Sequence, residues 1–130
     1  MPRSTSRAVR SSRTATEVAA HLPLAPRDYL ILFALIESAR HGHGILKEVE
    51  AASGLVPFDP ANLYRSLQRL ERNGLISETV DDAPAAGPPR RCFALTRLGR
   101  AVLRAEATRL ARLADLARAS RLVAPSKGTP

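Results

Sequence analysis

The chain has 130 residues, a single cysteine and a formal net charge of +8. That length corresponds to one domain, large enough to bury a core without cross-links, and one cysteine excludes an internal disulfide or a cysteine-built metal site. The longest apolar run, YLILFALI from Tyr29 to Ile36, is far short of the roughly 20 residues that a membrane-spanning helix needs.

The charge is uneven. Residues 1–26 carry four Arg and one Glu, residues 27–95 eight basic and nine acidic groups, and residues 96–130 eight basic and two acidic groups, giving +3, −1 and +6. A cationic excess of this size points to an acidic partner such as nucleic acid. The centre of the chain is nearly neutral, so binding there depends on where its basic groups point.

Residues 1–23 are rich in Ser, Thr and Arg and lack a sustained helical stripe. They read as a flexible basic arm, in which TEVAAHL (Thr16 to Leu22) forms a helical turn at most. Their Arg-rich, acid-poor composition also has the look of an organellar transit peptide. With no apolar stretch they do not form a secretory signal peptide.

A first helix is predicted from Pro26 to Ser38. Pro26 suits a first helical turn, and Leu30, Phe33 and Ala34 belong to a segment apolar nearly all round, which marks a buried central helix. HGHG (His41 to Gly44) breaks the chain. A second helix follows over Gly44 to Ala52, with Ile45, Leu46 and Val49 inward and Lys47, Glu48 and Glu50 outward. Gly54 suits the left-handed position past its end.

The third helix has the clearest signals. Asp59 is a good N-cap and Pro60 a good first residue. Leu63, Leu67 and Leu70 recur at one helical face, and Asn73-Gly74 closes the helix. LISETV (Leu75 to Val80) and RCFAL (Arg91 to Leu95) then read as two strands of a hairpin around a Pro-, Ala- and Gly-rich loop. Thr96 caps a last helix, Arg97 to Leu122, in which Gly99 is expected to cost some stability.

Three short helices, a hairpin and a final helix make a mainly α chain with a small β-hairpin. This is the layout of a winged helix-turn-helix with a C-terminal dimerisation helix. The domain plan is an arm (1–23), a DNA-binding domain (24–96), a dimerisation helix (97–123) and a disordered tail (124–130). In such motifs the recognition helix enters the major groove. Here that helix turns Asn62, Arg65, Gln68 and Arg69 away from its leucine stripe. Arg reads guanine, and Asn or Gln reads adenine; all of them also hold phosphates. Tyr64 can donate its hydroxyl to a phosphate, and the helix N-terminus adds a positive dipole end. By itself such a face is ordinary for any solvated amphipathic helix; its place between a second helix and a hairpin favours DNA.

Several segments together resemble the PadR family of bacterial transcriptional regulators. They are YLILFALI, HGHGILKEVE, NLYRSLQRLERNGLI and PPRRCFALTRLGRAVL, covering Leu30 to Leu103. The family shows a His-Gly-aromatic-Gly motif, a Leu-Tyr pair and a closing Leu-Thr-x-x-Gly. This chain has His41-Gly42-His43-Gly44, Leu63-Tyr64 and Leu95-Thr96-Arg97-Leu98-Gly99. Two positions depart from the pattern: Arg65 stands where Pro is usual, and His43 replaces Tyr or Phe. The resemblance implies a homodimeric repressor acting on promoter or operator DNA in the cytoplasm, with a small-molecule inducer as a further partner.

On the wing, Arg90 and Arg91 match a basic pair found in family members. Arg90 is the stronger DNA candidate, because Arg91 should point to the opposite face. His43 and the outward Lys47 complete the candidate DNA-contacting set. In the last helix Leu103, Ala107, Leu110, Leu113 and Ala117 form an apolar stripe with too little core left to cover, and so read as a dimer face. The plain alternative is a helix folded back on its own domain, at least in its first turn.

No nucleophile constellation, Gly-rich phosphate loop or metal-ligand cluster is visible, so no enzyme, cofactor or metal is expected. Cys92 reads as a buried, inert thiol. The competing function is a winged-helix protein–protein interaction module that keeps the fold without binding DNA specifically.

Overall fold

The computed structural model describes residues 13–53, 59–81 and 90–124. Residues 13–19 are helical (α1). There follow α2 (Pro26–Ala34), β1 (Arg40–His41), α3 (Gly42–Ser53), α4 (Pro60–Arg72), β2 (Ile76–Asp81), β3 (Arg90–Leu95) and α5 (Arg97–Ala119). The strands form an antiparallel sheet in the order β1-β3-β2. This is the mainly helical winged architecture expected, with one strand more than the hairpin alone.

One core joins every layer. Ile31, Leu32 and Leu35 from the α2 segment meet Ile45 and Val49 of α3, Leu63, Leu67 and Leu70 of α4, Ile76 and Phe93 of the sheet, and Val102 and Leu103 of α5. The α4 leucines are each 1% exposed. Each contributes about 1.5–3 kcal/mol on burial, which makes this stripe the main anchor of α4.

The α4 boundaries follow the sequence signals. The Asp59 side chain accepts from the Ala61 N–H, Pro60 opens the helix, and Gly74 takes φ +77° just past its end. In α2 the outcome differs. It stops at Ala34, four residues before the predicted Ser38, where Leu35 and Ile36 N–H groups bond back three residues to Leu32 and Phe33. The Arg40 Nε–H then takes the Ala34 carbonyl at 2.7 Å, satisfying an acceptor that the helix end leaves over. Phe33 and Ile36 are 48% and 41% exposed, so α2 is buried on one side only.

HGHG does not simply break the chain. Arg40 and His41 pair with Phe93 and Cys92, and α3 starts at once on Gly42. Two residues are too few to show strand alternation in a sequence. α1 is also longer than a turn, and Val18 within it and Leu22 beyond its end pack against the core. The position of Gly54 lies outside the described residues, as does the wing loop 82–89 with Asp82, Pro88 and Pro89.

The start of α5 explains Gly99. The Thr96 hydroxyl accepts from the Gly99 N–H at 2.9 Å and donates to the Gly74 carbonyl at 2.6 Å. This draws α5 so close to the α4–β2 turn that a Cβ on Gly99 would fall 1.9 Å from the Leu75 carbonyl oxygen. Glycine there is a packing requirement, not the weakness it seemed. α5 ends three residues early, at Ala119; the Leu122 N–H bonds back to the Ala117 carbonyl while Arg121 takes φ 62°. Among the described residues no helix is long and apolar enough to cross a membrane.

Candidate nucleic-acid interface

α4 turns Leu63, Ser66, Leu67 and Leu70 inward and leaves Tyr64, Arg65, Gln68, Arg69 and Arg72 exposed, with Asn62 at the edge. The outward residues lie along one side because their spacing follows the helical repeat. Among the described residues no acidic group pairs with Arg65. Its five donors stay directed outward, suited to a guanine edge or a phosphate.

At the helix start, the Asp59 carboxylate occupies the Ala61 N–H at 3.2 Å. That end of α4 is therefore already capped by an anion, which weakens it as a phosphate cradle. Tyr64 lies against the beginning of α3: a Cβ on Gly42 would meet its hydroxyl at 2.9 Å. The small residue after His41 thus makes room for the aromatic ring of the Leu-Tyr pair. His43 and Lys47 are exposed on the same helix.

Two predicted DNA cations turn out to be held internally. Arg69 Nη2 donates to Asp28 Oδ1 at 2.5 Å, joining α4 to the first turn of α2. Arg91 makes a two-pronged pair with Glu78, at 2.5 Å from Nε and 2.8 Å from Nη2. Its guanidinium also stands 5.7 Å from the centre of the Phe93 ring. Arg91 therefore covers a core aromatic from the sheet side. The hydrogen bond from Arg91 holds the Glu78 carboxyl below its ordinary range, and Glu78 in turn raises the guanidinium. Arg90 pairs with Asp81 across the hairpin in backbone register; its side chain lies outside the described residues.

Asp28 and Glu78 did not stand out in the sequence. No local spacing links either to its arginine.

The predicted dimer stripe divides in two. Leu103 is 4% exposed and belongs to the core of its own domain, so it does not face a partner. Further along α5, Leu110, Leu113 and Leu116 are 38%, 47% and 64% exposed. Ala107 and Ala117 are half-buried. Leu116, the most exposed of the three, was not singled out in the sequence. Between this helix and the α2 entrance lies a cleft of about 520 Å³, walled by Pro23, Leu24, Tyr29, Leu30, Glu106 and Leu110 among others.

Glu106 is 1% exposed and uses both carboxylate oxygens. Arg109 donates to them at 2.6 and 2.8 Å, and the Leu24 N–H donates to Oε2 at 3.1 Å. The Arg109 hydrogen bonds lower the Glu106 pKa against the opposing effect of burial, and the Leu24 N–H adds to the lowering. Cys92 is buried in β3. Among the described residues no group of three or more His, Cys, Asp or Glu is placed to hold a metal.

The profile of the transcriptional regulator PadR-like family matches residues 31–105, more than half of the chain. No curated protein matches the sequence. Solved structures share the fold at low identity. A PadR family transcription regulator from Clostridium difficile is 22% identical with a TM-score of 0.65, over 72% of this chain and 96% of its own. A PadR family regulator from Eggerthella lenta is 24% identical with a TM-score of 0.57, over 94% and 98%. Bacillus subtilis PadR, solved in complex with operator DNA, is 20% identical with a TM-score of 0.54, over 63% of this chain and 46% of its own.

Proposed function

The chain belongs to the PadR-like family of transcriptional regulators, and from that premise we infer that it binds operator DNA sequence-specifically, as a homodimeric repressor released by a small ligand. The observation that carries this reading is the outer face of α4. Its leucine stripe is seated in the core while Asn62, Tyr64, Arg65 and Gln68 stand outward from a well-capped helix. Side chains of these types, on the second helix of a helix-turn-helix, read base edges and grip phosphates. His43 and Lys47 on α3 and Arg90 on the wing are the flanking contacts. The structural likeness to a PadR protein solved with operator DNA supports the same use of the fold.

Residues 24–96 form the DNA-binding unit in this reading and residues 97–123 the dimerisation helix, with Leu110, Leu113 and Ala117 at its face. An exposed leucine row on a helix that has left its own core needs a covering surface. A second copy supplies one and sets two recognition helices about 34 Å apart, one DNA turn. The cleft between α2 and α5 is the natural seat for an inducer of mostly apolar character. The protein acts in the cytoplasm, where promoter DNA is accessible.

One observation favours the interaction-module alternative. The pairs Arg69–Asp28 and Arg91–Glu78 neutralise two cations of the expected DNA face. Fluorescence-anisotropy titration separates the two readings. It uses a duplex from upstream of the protein's own coding region and a scrambled duplex, at several salt concentrations. A regulator binds the upstream duplex far more tightly than the scrambled one. Equal and steeply salt-dependent binding to both reduces the contacts to non-specific ones, and binding to neither favours the interaction module.

A further inference from the structure

Asp28 places a negative charge against a face whose reading as a DNA contact calls for positive ones. It sits in the first turn of α2 with 8% of its surface exposed. Its Oδ1 accepts from Arg69 Nη2 at 2.5 Å, across 41 positions of chain. The aspartate side chain is 12% exposed and the arginine 45%, so one partner is fixed in place and the other reaches to it from the helix surface.

On α4, Arg65 and Arg69 are four residues apart and therefore neighbours on the helix surface. Only Arg69 has an acidic partner among the described residues. Beside the pair lies a cleft lined by Ala25, Pro26, Arg27, Asp28, Ser66 and Arg69, so the arginine of α2 stands at the same opening, and the double variant below separates its effect from that of Arg69. A phosphate arriving there meets a guanidinium whose charge is already opposed at contact distance by a carboxylate. Among the described residues the nearby Arg65 meets no such opposition.

Non-specific affinity is almost wholly the phosphate term, and each phosphate neutralised by a cation steepens the salt dependence by about 0.9 in log–log slope. Specificity is the ratio of specific to non-specific binding. A regulator therefore gains discrimination by keeping surplus cations off the phosphates. We propose that Asp28 is a specificity-determining positioning residue, which withholds the Arg69 charge from DNA phosphates and so suppresses indiscriminate binding by the recognition helix. The proposal rests on the DNA-binding reading above.

The test measures anisotropy of the full chain on the upstream and scrambled duplexes across a salt series. Asp28→Asn keeps the shape and removes the charge. Its expected result is a slope on scrambled DNA steeper by about 0.9, several-fold tighter scrambled binding and a smaller specific-to-non-specific ratio. Asp28→Glu restores the ratio. Combining Asp28→Asn with Arg69→Gln abolishes the steepening, because it acts through Arg69. An unchanged slope in Asp28→Asn overturns the proposal, and so does a steepening that persists without Arg69. Should Asp28→Asn fail to fold, Arg69→Gln alone decides: a slope shallower by about 0.9 means that Arg69 already holds a phosphate, against the proposal, and an unaltered slope supports it. A wild-type chain that binds neither duplex overturns the regulator reading and this inference with it. Wild-type binding combined with any of the contrary results overturns this inference alone.

Discussion

The Tyr64 ring lies against the backbone of Gly42, so close that a Cβ on Gly42 would stand 2.9 Å from the tyrosine hydroxyl. Tyr64 is 49% exposed and can swing outward. Gly42→Ala should therefore displace the ring rather than unfold the domain. The stability change stays within about 1 kcal/mol, because alanine in a helix offsets part of the contact. The loss falls on DNA affinity. Thermal melting and anisotropy together check this, and a large fall in melting temperature would mean that the ring cannot move.

Gly99→Ala should behave in the opposite way. Its neighbour is the Leu75 backbone, which cannot rotate aside. Overpacking of this kind costs about 3 kcal/mol or more, at the upper end of what core insertions show. Denaturant unfolding should reveal the loss in the absence of any DNA.

Arg65→Ala should weaken binding to the upstream duplex by about 1–3 kcal/mol if the guanidinium reads a base. Scrambled DNA should be affected much less. Equal losses on both duplexes would reassign Arg65 to a phosphate, and no loss would remove it from the interface.

Leu110→Asp and Leu103→Asp separate the two halves of α5. Leu110 is exposed in the single chain, so aspartate there should leave the fold intact and break the proposed dimer in sedimentation. Leu103 is a core residue at 4% exposure, so aspartate there should unfold the domain. A Leu110→Asp chain that still sediments as a dimer would place the interface elsewhere.

Glu106 supplies a pH prediction. Its pKa is lowered in the folded chain, chiefly by Arg109, so its stabilising effect is fully present above the unfolded value of about 4.3. The effect disappears as the pH falls through the lower folded value. Glu106→Gln should cost about 1 kcal/mol at neutral pH, allowing for the partial exposure of Arg109. Melting curves of wild type and variant should stay a fixed distance apart at neutral pH and converge below about pH 4. Parallel curves down to pH 2 would dissociate Glu106 from acid unfolding.

Local signals carried much of the fold. Asp59-Pro60 at one end of α4, Asn73-Gly74 at the other and the three leucines between them defined a helix, its inner face and its length. Thr96 marked the start of α5 in the same manner. These features act within one or two turns of chain, where residue spacing alone determines which side chains share a face. The order of elements and the short motifs of residues 41–44, 63–64 and 95–99 were enough to identify the family.

Tertiary structure decided which outward groups are free. Arg65 and Arg69 look equivalent along the sequence, yet among the described residues only Arg69 meets a carboxylate, from a helix 41 positions away. Arg91 finds Glu78 only because the hairpin register brings the two strands together. Leu103 and Leu110 share a stripe but not a surroundings, since the core ends between them. β1 exists because β3 offers Arg40 and His41 a partner, not because two residues prefer to be extended. Spacing along a chain sets the direction of a side chain; what it meets in that direction depends on how distant segments pack.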